Sequence, residues 1–269
     1  MPKDSPKVRA VTGNSNIKLR DSRMTTTYLE LINRGAKTYP DRTAIVYQDQ
    51  SFTFRQVDEL SSQLANAMNA AGIKQGDCIA LLLNNGPYSV PVDFACVKTG
   101  INRVPLNSRL SISEHAKMLR DTGAKRILFG ADLAAHAAAL KAELPELECL
   151  GVESSLDGGI DLVEQARSQS CEPPQITVQG DDVVATLFTS GTTGTLKAAQ
   201  HTQASYAAIC KNVLMNVISV EHNDAMLHAA SLIHASGVFV LPLTWFPPCS
   251  KCCWAILNSK IPMSRPCAT

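Results

Sequence analysis

The chain has 269 residues, 45% of them hydrophobic and 18% charged, and 25 Lys and Arg stand against 24 Asp and Glu for a net charge of +1. This is the composition of a soluble globular protein, and the balance excludes the concentrated basic field by which nucleic acid or an anionic membrane is normally met. No run approaches the roughly 18 apolar residues needed to span a bilayer, and the opening residues lack the apolar segment of a secretory signal, so the sequence predicts a cytoplasmic protein without a transmembrane segment.

Residues 1–23 are polar and basic with scattered Ser, Asn, Gly and Pro, which predicts a disordered leader before Met24. The apolar positions over 28–36 suit a short helix. A turn at Pro40 and Asp41 leads into a strand over 44–47, and Asp49, Gln50 and Ser51 suggest a hairpin into 52–54. From 55 to 71, Val57, Leu60, Leu64, Ala67 and Met68 recur at three- and four-residue intervals and Gly72 supplies the stop, predicting an amphipathic helix. Residues 78–83 form a continuous apolar run of the kind buried on both faces of a parallel sheet. A crossover helix over 87–99 follows.

The alternation continues with a strand at 102–105, a helix at 112–122, a strand at 126–129, a helix at 133–144 and a strand at 149–152. A Gly, Asp, Ser and Pro-bearing connection with a helix near 161–168 leads to an apolar strand at 183–188. Repeated strand–helix units argue for an α/β fold with mostly parallel sheets layered with helices.

The nine cysteines divide in two. Cys78, Cys96, Cys149, Cys171 and Cys210 are scattered, mostly beside apolar residues, as buried thiols of a reducing compartment would be. Cys249, Cys252, Cys253 and Cys267 crowd into 247–269, which has neither helix nor strand period and predicts no further domain. A zinc site there is disfavoured, because two of the cysteines are adjacent and no second CxxC is present, so no metal site is predicted.

Chemistry concentrates after the 183–188 strand. Thr189, Ser190, Gly191, Thr192, Thr193, Gly194 and Lys197 combine hydroxyl donors, two glycines that let backbone N–H groups approach a ligand closely, and a cation. Such a segment suits phosphate oxygens. It is not a Walker A loop, which needs four residues between its glycines and Gly-Lys-Ser/Thr at its end. The sequence predicts strand, loop and then helix, the helix running over 204–220.

These residues resemble the phosphate-binding signature of the adenylate-forming superfamily, which includes acyl-CoA synthetases, luciferases and peptide-synthetase adenylation domains. Thr189 through Gly194 and Lys197 match it, while Leu196 and Ala198 stand where Pro and Gly are usual. The run from Val104 to Leu110 resembles the VPLNPRL segment of acid–CoA ligases, and the opening from Tyr39 to Val46 resembles their first subdomain. His234 and Gly237 are similar to the family's substrate-side motif, so the resemblance implies a place for both beside the acyl pocket. Thr202 fits the family's Thr after the phosphate loop, with Gln203 where His commonly follows.

The resemblance implies the N-terminal domain of an adenylate-forming enzyme, incomplete at the C-terminus, with a partial AMP-binding domain over 24–246. It implies a ligase that joins a carboxylic acid to ATP as an acyl-adenylate, with Mg2+ shielding the phosphates, and then passes the acyl group to coenzyme A. The family's Tyr-Gly-x-Thr-Glu segment and its C-terminal catalytic lysine are absent, so no catalytic residue is assigned. The expectation is therefore a truncated or frameshifted form with impaired or no activity, the alternative being a catalytically inactive nucleotide- or acyl-binding protein.

Overall fold

A computed structural model describes residues 26–189, 197–216, 226–228 and 254–256. Helix α1 (Tyr28–Thr38) is followed by β1 (Thr43–Tyr47) and β2 (Gln50–Thr53), paired antiparallel as the predicted hairpin. Then come α2 (Phe54–Ala70), β3 (Cys78–Leu82), α3 (Ser89–Thr99), β4 (Asn102–Pro105), α4 (Ile112–Thr122), β5 (Arg126–Gly130), α5 (Ala134–Glu143), β6 (Glu148–Val152) and α6 (Leu162–Ala166). The helix starts are chemically marked. Thr27, Thr53 and Ser111 each accept from the backbone N–H three residues on, and Glu30, Gln56 and Glu114 reach back to the N-cap N–H, closing three capping boxes. Helices α3 and α4 end on Gly100 and Gly123, at φ 73° and 69°, a left-handed turn that glycine adopts without penalty.

The main sheet runs β6-β5-β3-β4-β7-β8, with β7 spanning Val183–Thr189 and β8 Lys197–Thr202. Every neighbouring pair is parallel except β7 and β8. Alternation along the strands decides what each face buries. Ile79, Leu81, Leu128, Leu150 and Val152 pack against α2, α3 and α6, while Ala80, Leu82, Ile127 and Phe129 pack against α4 and α5. Helices on both faces explain why the strands read as continuous apolar runs.

Sequence and structure differ in three places. The loop was expected to be followed by a helix over 204–220; β8 lies between them, and α7 runs Gln203–Asn216, residues 217–220 lying outside the described residues. The β8 residues alternate poorly because most of the strand is exposed, so no hydrophobic period marks it. Residues 247–269 showed no period either, yet Trp254–Ile256 form β10, parallel to both β1 and β9 (Met226–His228) in a second sheet, β2-β1-β10-β9. Of the five cysteines expected inside, Cys96 and Cys210 are buried, Cys78 and Cys149 half-buried, and Cys171 is exposed because it lies in the irregular connection after α6.

Helix α3 is buried almost all round, including Asp93 and Lys98. Lys98 Nζ donates to Asp58 O and Oδ1 at 2.7 Å and to Ser62 Oγ at 2.8 Å, so all three of its donors are used across to α2. Burial lowers its pKa, and the Asp58 carboxylate opposes that shift.

Phe129 has no exposed surface. Phe129→Ala is expected to lower stability by about 3–5 kcal/mol through the cavity it leaves, and Ser111→Ala by about 1 kcal/mol through the lost cap. Urea unfolding with an unchanged slope and a lower midpoint checks both.

Candidate phosphate-binding hairpin

Strand β7 carries buried Val184, Ala185 and Leu187 and emerges at exposed Thr189. Strand β8 returns antiparallel, with Thr189 in register with Lys197, and Thr189 Oγ1 donates to Lys197 O at 3.4 Å. Sequence reasoning placed Lys197 on a loop leading to a helix; the ladder instead seats it at the mouth of a hairpin, across from Thr189. Ser190, Gly191, Thr192, Thr193 and Gly194 lie outside the described residues, as do His234 and Gly237. Thr202 and Ser205 bond reciprocally at the start of α7: Ser205 N–H donates to Thr202 Oγ1 at 3.2 Å and Ser205 Oγ accepts from Thr202 N–H at 2.9 Å. Gln203 is buried and accepts from Leu29 N–H at 3.1 Å, tying α7 to α1.

Beneath the hairpin lies a charge that sequence reasoning missed. Arg103 of β4 has no exposed surface; its Nε stands 2.6 Å from Asp93 Oδ1 of α3, and Nη1 donates to Val184 O of β7 at 3.0 Å. Its guanidinium carbon lies 5.4 Å from the Tyr28 ring centre and 5.1 Å from that of Tyr206, so α1 and α7 each present a ring to it. Tyr28 OH donates to Asp93 Oδ2 at 3.4 Å. Burial raises the Asp93 carboxyl above its ordinary value, against the pull of the Arg103 cation and the Tyr28 hydroxyl. Burial would lower Arg103, but Asp93 foremost and the tyrosines after it carry it above its ordinary value. The pair is ionised, because a guanidinium keeps its proton and would otherwise be an uncompensated buried charge. The signals were an Asp inside the apolar run 90–97 and an Arg inside a strand.

The 104–110 segment, singled out from sequence, closes the carboxyl ends of the parallel strands. Leu106 N–H donates to Leu81 O at 2.8 Å, Ser108 Oγ to Asn84 Oδ1 at 2.9 Å, and Asn84 Nδ2 to Asp132 Oδ2 at 2.7 Å. The segments after β3, β5 and β6 border a cavity of about 260 Å3 lined by Asn84, Ser89, Asp132 and Glu153 among others. Strand order reverses at β3, which has β4 on one side and β5 on the other, and open α/β sheets hold ligands at such a point. Behind it, His115 Nε2 lies 2.9 Å from Asn107 O, and His115 Nδ1 lies 2.8 Å from His136 Nε2. A carbonyl only accepts, so His115 carries its proton on Nε2 and His136 donates from Nε2 to His115 Nδ1.

The AMP-binding enzyme family matches residues 32–247, most of the chain. The protein belongs to this family. Its sequence is 33% identical over 211 residues to a feruloyl-CoA synthase of Amycolatopsis sp, covering 78% of this chain and 40% of that protein. It is 30% identical over 190 residues to a long-chain-fatty-acid–CoA ligase of Mycobacterium tuberculosis, covering 71% and 37%. The chain thus spans about two fifths of the length of these relatives. Its fold superposes on the inhibitor-bound N-terminal domain of FACL13 from Mycobacterium tuberculosis with a TM-score of 0.77 at 25% identity, over 86% of this chain and 57% of that one. The resemblance seen in the phosphate signature and the 104–110 segment is that of a true family member, an α/β chain with the N-terminal architecture of adenylate-forming enzymes. No described helix is long and apolar enough to cross a membrane.

Burial holds His115 and His136 below the ordinary histidine pKa of 6.5. The unfolded chain therefore takes up protons first, so the pair's stabilisation is complete above about pH 6.5 and is lost as pH falls toward the folded values. Buried His228 and half-buried His201 shift the same way. Stability should fall as the pH drops below about 6.5, and His136→Asn, which can still donate to His115, should make that drop shallower. Urea midpoints on both sides of that pH check this, and parallel profiles for variant and parent would refute it.

Proposed function

We propose that the protein is an ATP-dependent acid–CoA ligase family member whose β7–β8 hairpin holds the phosphates of Mg-ATP. The observation that carries this reading is the Thr189–Lys197 mouth, where an exposed hydroxyl and an exposed cation flank a segment of Ser, Gly and Thr at the carboxyl end of a parallel strand. The donor set fits phosphate: hydroxyls and backbone N–H groups donate, and the ammonium offsets charge.

In this reading a carboxylate oxygen attacks the α-phosphorus, an acyl-adenylate forms and pyrophosphate leaves. Thr189, Ser190, Gly191, Thr192, Thr193, Gly194 and Lys197 keep the departing phosphates in place and stabilise their charge, a positioning and electrostatic role. The coenzyme A thiol then displaces AMP to give the thioester. Bound together with the triphosphate, Mg2+ would supply charge neutralisation beside the Lys197 ammonium. Among the described residues no cluster of three or more His, Cys, Asp or Glu stands ready to bind a metal by itself. His234 and Gly237 are proposed to line the acyl pocket, and residues 24–246 to form the AMP-binding portion, in the cytoplasm and without a nucleic acid partner. The relatives' acids differ, one feruloyl and one long-chain, so support is for the carboxylic acid class.

The alternative reading is a catalytically inactive nucleotide- or acyl-binding protein. Pyrophosphate exchange over a panel of acids separates the two, since any acid-dependent exchange defeats the inactive reading.

The deciding experiment is calorimetric titration of the 269-residue chain with Mg-ATP. Lys197→Ala is expected to weaken binding by about tenfold to a hundredfold, the worth of one charged contact, with the thermal midpoint unchanged because the side chain is exposed. Equal affinity in variant and parent would remove Lys197 from the site.

A further inference from the structure

Strands β6, β5, β3 and β4 form one well-laddered block: β5 registers with β6 from Arg126↔Glu148 to Gly130↔Val152, and β3 with β4 from Cys78↔Asn102 to Leu81↔Pro105. The seam to the phosphate hairpin is crossed by side chains as well as by the ladder: Thr186 Oγ1 of β7 donates to Asn102 Oδ1 of β4 at 3.0 Å. Among the described residues β4 registers with β7 at Arg103↔Ala185 alone. Side chains reinforce that point. Arg103 reaches over the seam to Val184 O, and its guanidinium lies against Tyr206 on α7, the helix that continues from the hairpin. Its ion pair with Asp93 ties the same group to α3 on the block side. Ala185 also registers with His201 of β8, whose ring meets Tyr206 edge-on at 6.2 Å and 88°. Arg103, Ala185 and His201 therefore form one row across three strands that closes on a single tyrosine.

The row lies four residues from the mouth on each strand, Ala185 to Thr189 and Lys197 to His201. That is about 13 Å of strand, so a tilt at the row moves the mouth directly. A planar guanidinium lying against two rings whose centres are 4.5 Å apart fixes direction as well as distance, which an ammonium does not. A buried ion pair seldom adds net stability over an apolar filling of the same space, so its value here lies in geometry.

We propose that Arg103 is a positioning residue for phosphate binding: it clamps the β7–β8 hairpin and α7 to the β3–β4 block and so fixes where Thr189 and Lys197 stand. The assignment rests on the phosphate reading of the hairpin.

The test compares the full 269-residue parent with Arg103→Met and Arg103→Lys, by residue-resolved amide exchange and by Mg-ATP calorimetry, with Lys197→Ala as the phosphate control. For Arg103→Met the expected result is about tenfold or faster exchange over 183–189 and 197–202, with 126–130 and 148–152 keeping parental rates. Mg-ATP affinity should fall about tenfold at a temperature where the variant is folded, the scale of a small misplacement. Arg103→Lys, which keeps the charge beside Asp93, should recover part of both. Exchange that rises evenly through both groups of strands, with unchanged affinity in the folded fraction, would overturn the proposal and make Arg103 merely a core residue. If parent and Lys197→Ala do not differ toward Mg-ATP, the phosphate reading fails, and the exchange pattern alone decides the clamp, local loss supporting it and even loss overturning it. Where Arg103→Met does not fold, Arg103→Lys is judged by the same criteria.

Discussion

A guanidinium with no exposed surface cannot be left without compensation, and Arg103 imposes that requirement on the elements around it. Removing one partner from such a pair typically costs about 3–5 kcal/mol, because the remaining charge stays buried. Asp93 must therefore face β4, which sets the rotation of α3; Val184 must offer its carbonyl, which fixes β7 beside β4. Tyr28 and Tyr206, with ring centres 4.5 Å apart, must lie against the same group, which brings the first and last of the named helices together. Apolar packing of the same volume would tolerate several arrangements. The charge selects one.

Helix α3 distributes that constraint. Asp93 and Lys98 are five residues apart, about 140° around a helix, and they serve different neighbours: Asp93 pairs with β4, and Lys98 with Asp58 and Ser62 on α2. A helix without an exposed face has no hydrophobic stripe by which to orient itself, so two buried ions pointing to different sides do that work. The sheet's own contribution is direction. Because β3, β4, β5, β6 and β7 are mutually parallel, their carboxyl ends share one edge, where both the Thr189 mouth and the cavity beside Asn84 and Asp132 lie.

Much of this was legible in the sequence because it is local. The capping residues, the glycine stops and the apolar runs write their own spans, and the strand–helix alternation gives the layered parallel sheet. The phosphate signature was legible as residue types in order. What escaped is nonlocal. Arg103 and Asp93 looked like polar interruptions, and only the fold shows that each answers the other; His115 and His136 are 21 residues apart and meet through α4 and α5 packing. Strand β8 escaped for another reason: most of it is exposed, so its pairing comes from the return of the chain and not from alternation. Gln203, which departs from the family pattern, is explained by its bond to Leu29, a contact 174 residues distant.

The presence of β8 changes the electrostatics of the proposed phosphate site. In a loop that opens directly onto a helix, the first-turn N–H groups and the macrodipole supply much of the positive potential, and that field fades beyond the first turn. Here α7 begins at Gln203, six residues after Lys197. At strand rise that is about 20 Å, farther than a helix terminus acts and about two and a half Debye lengths at physiological salt. The start of α7 is moreover occupied: Gln203 N–H donates to Asp182 O, Ala204 N–H to Gly180 O and Ser205 N–H to Thr202 Oγ1, while the Gln203 side chain accepts from Leu29 N–H. Positive charge at the mouth must then come from Lys197 and from backbone N–H groups, with its position set by the β7–β8 ladder. A point charge on a flexible stem is well placed only if its backbone is, so the burden of precision passes down the hairpin to the row where Arg103, Ala185 and His201 meet Tyr206.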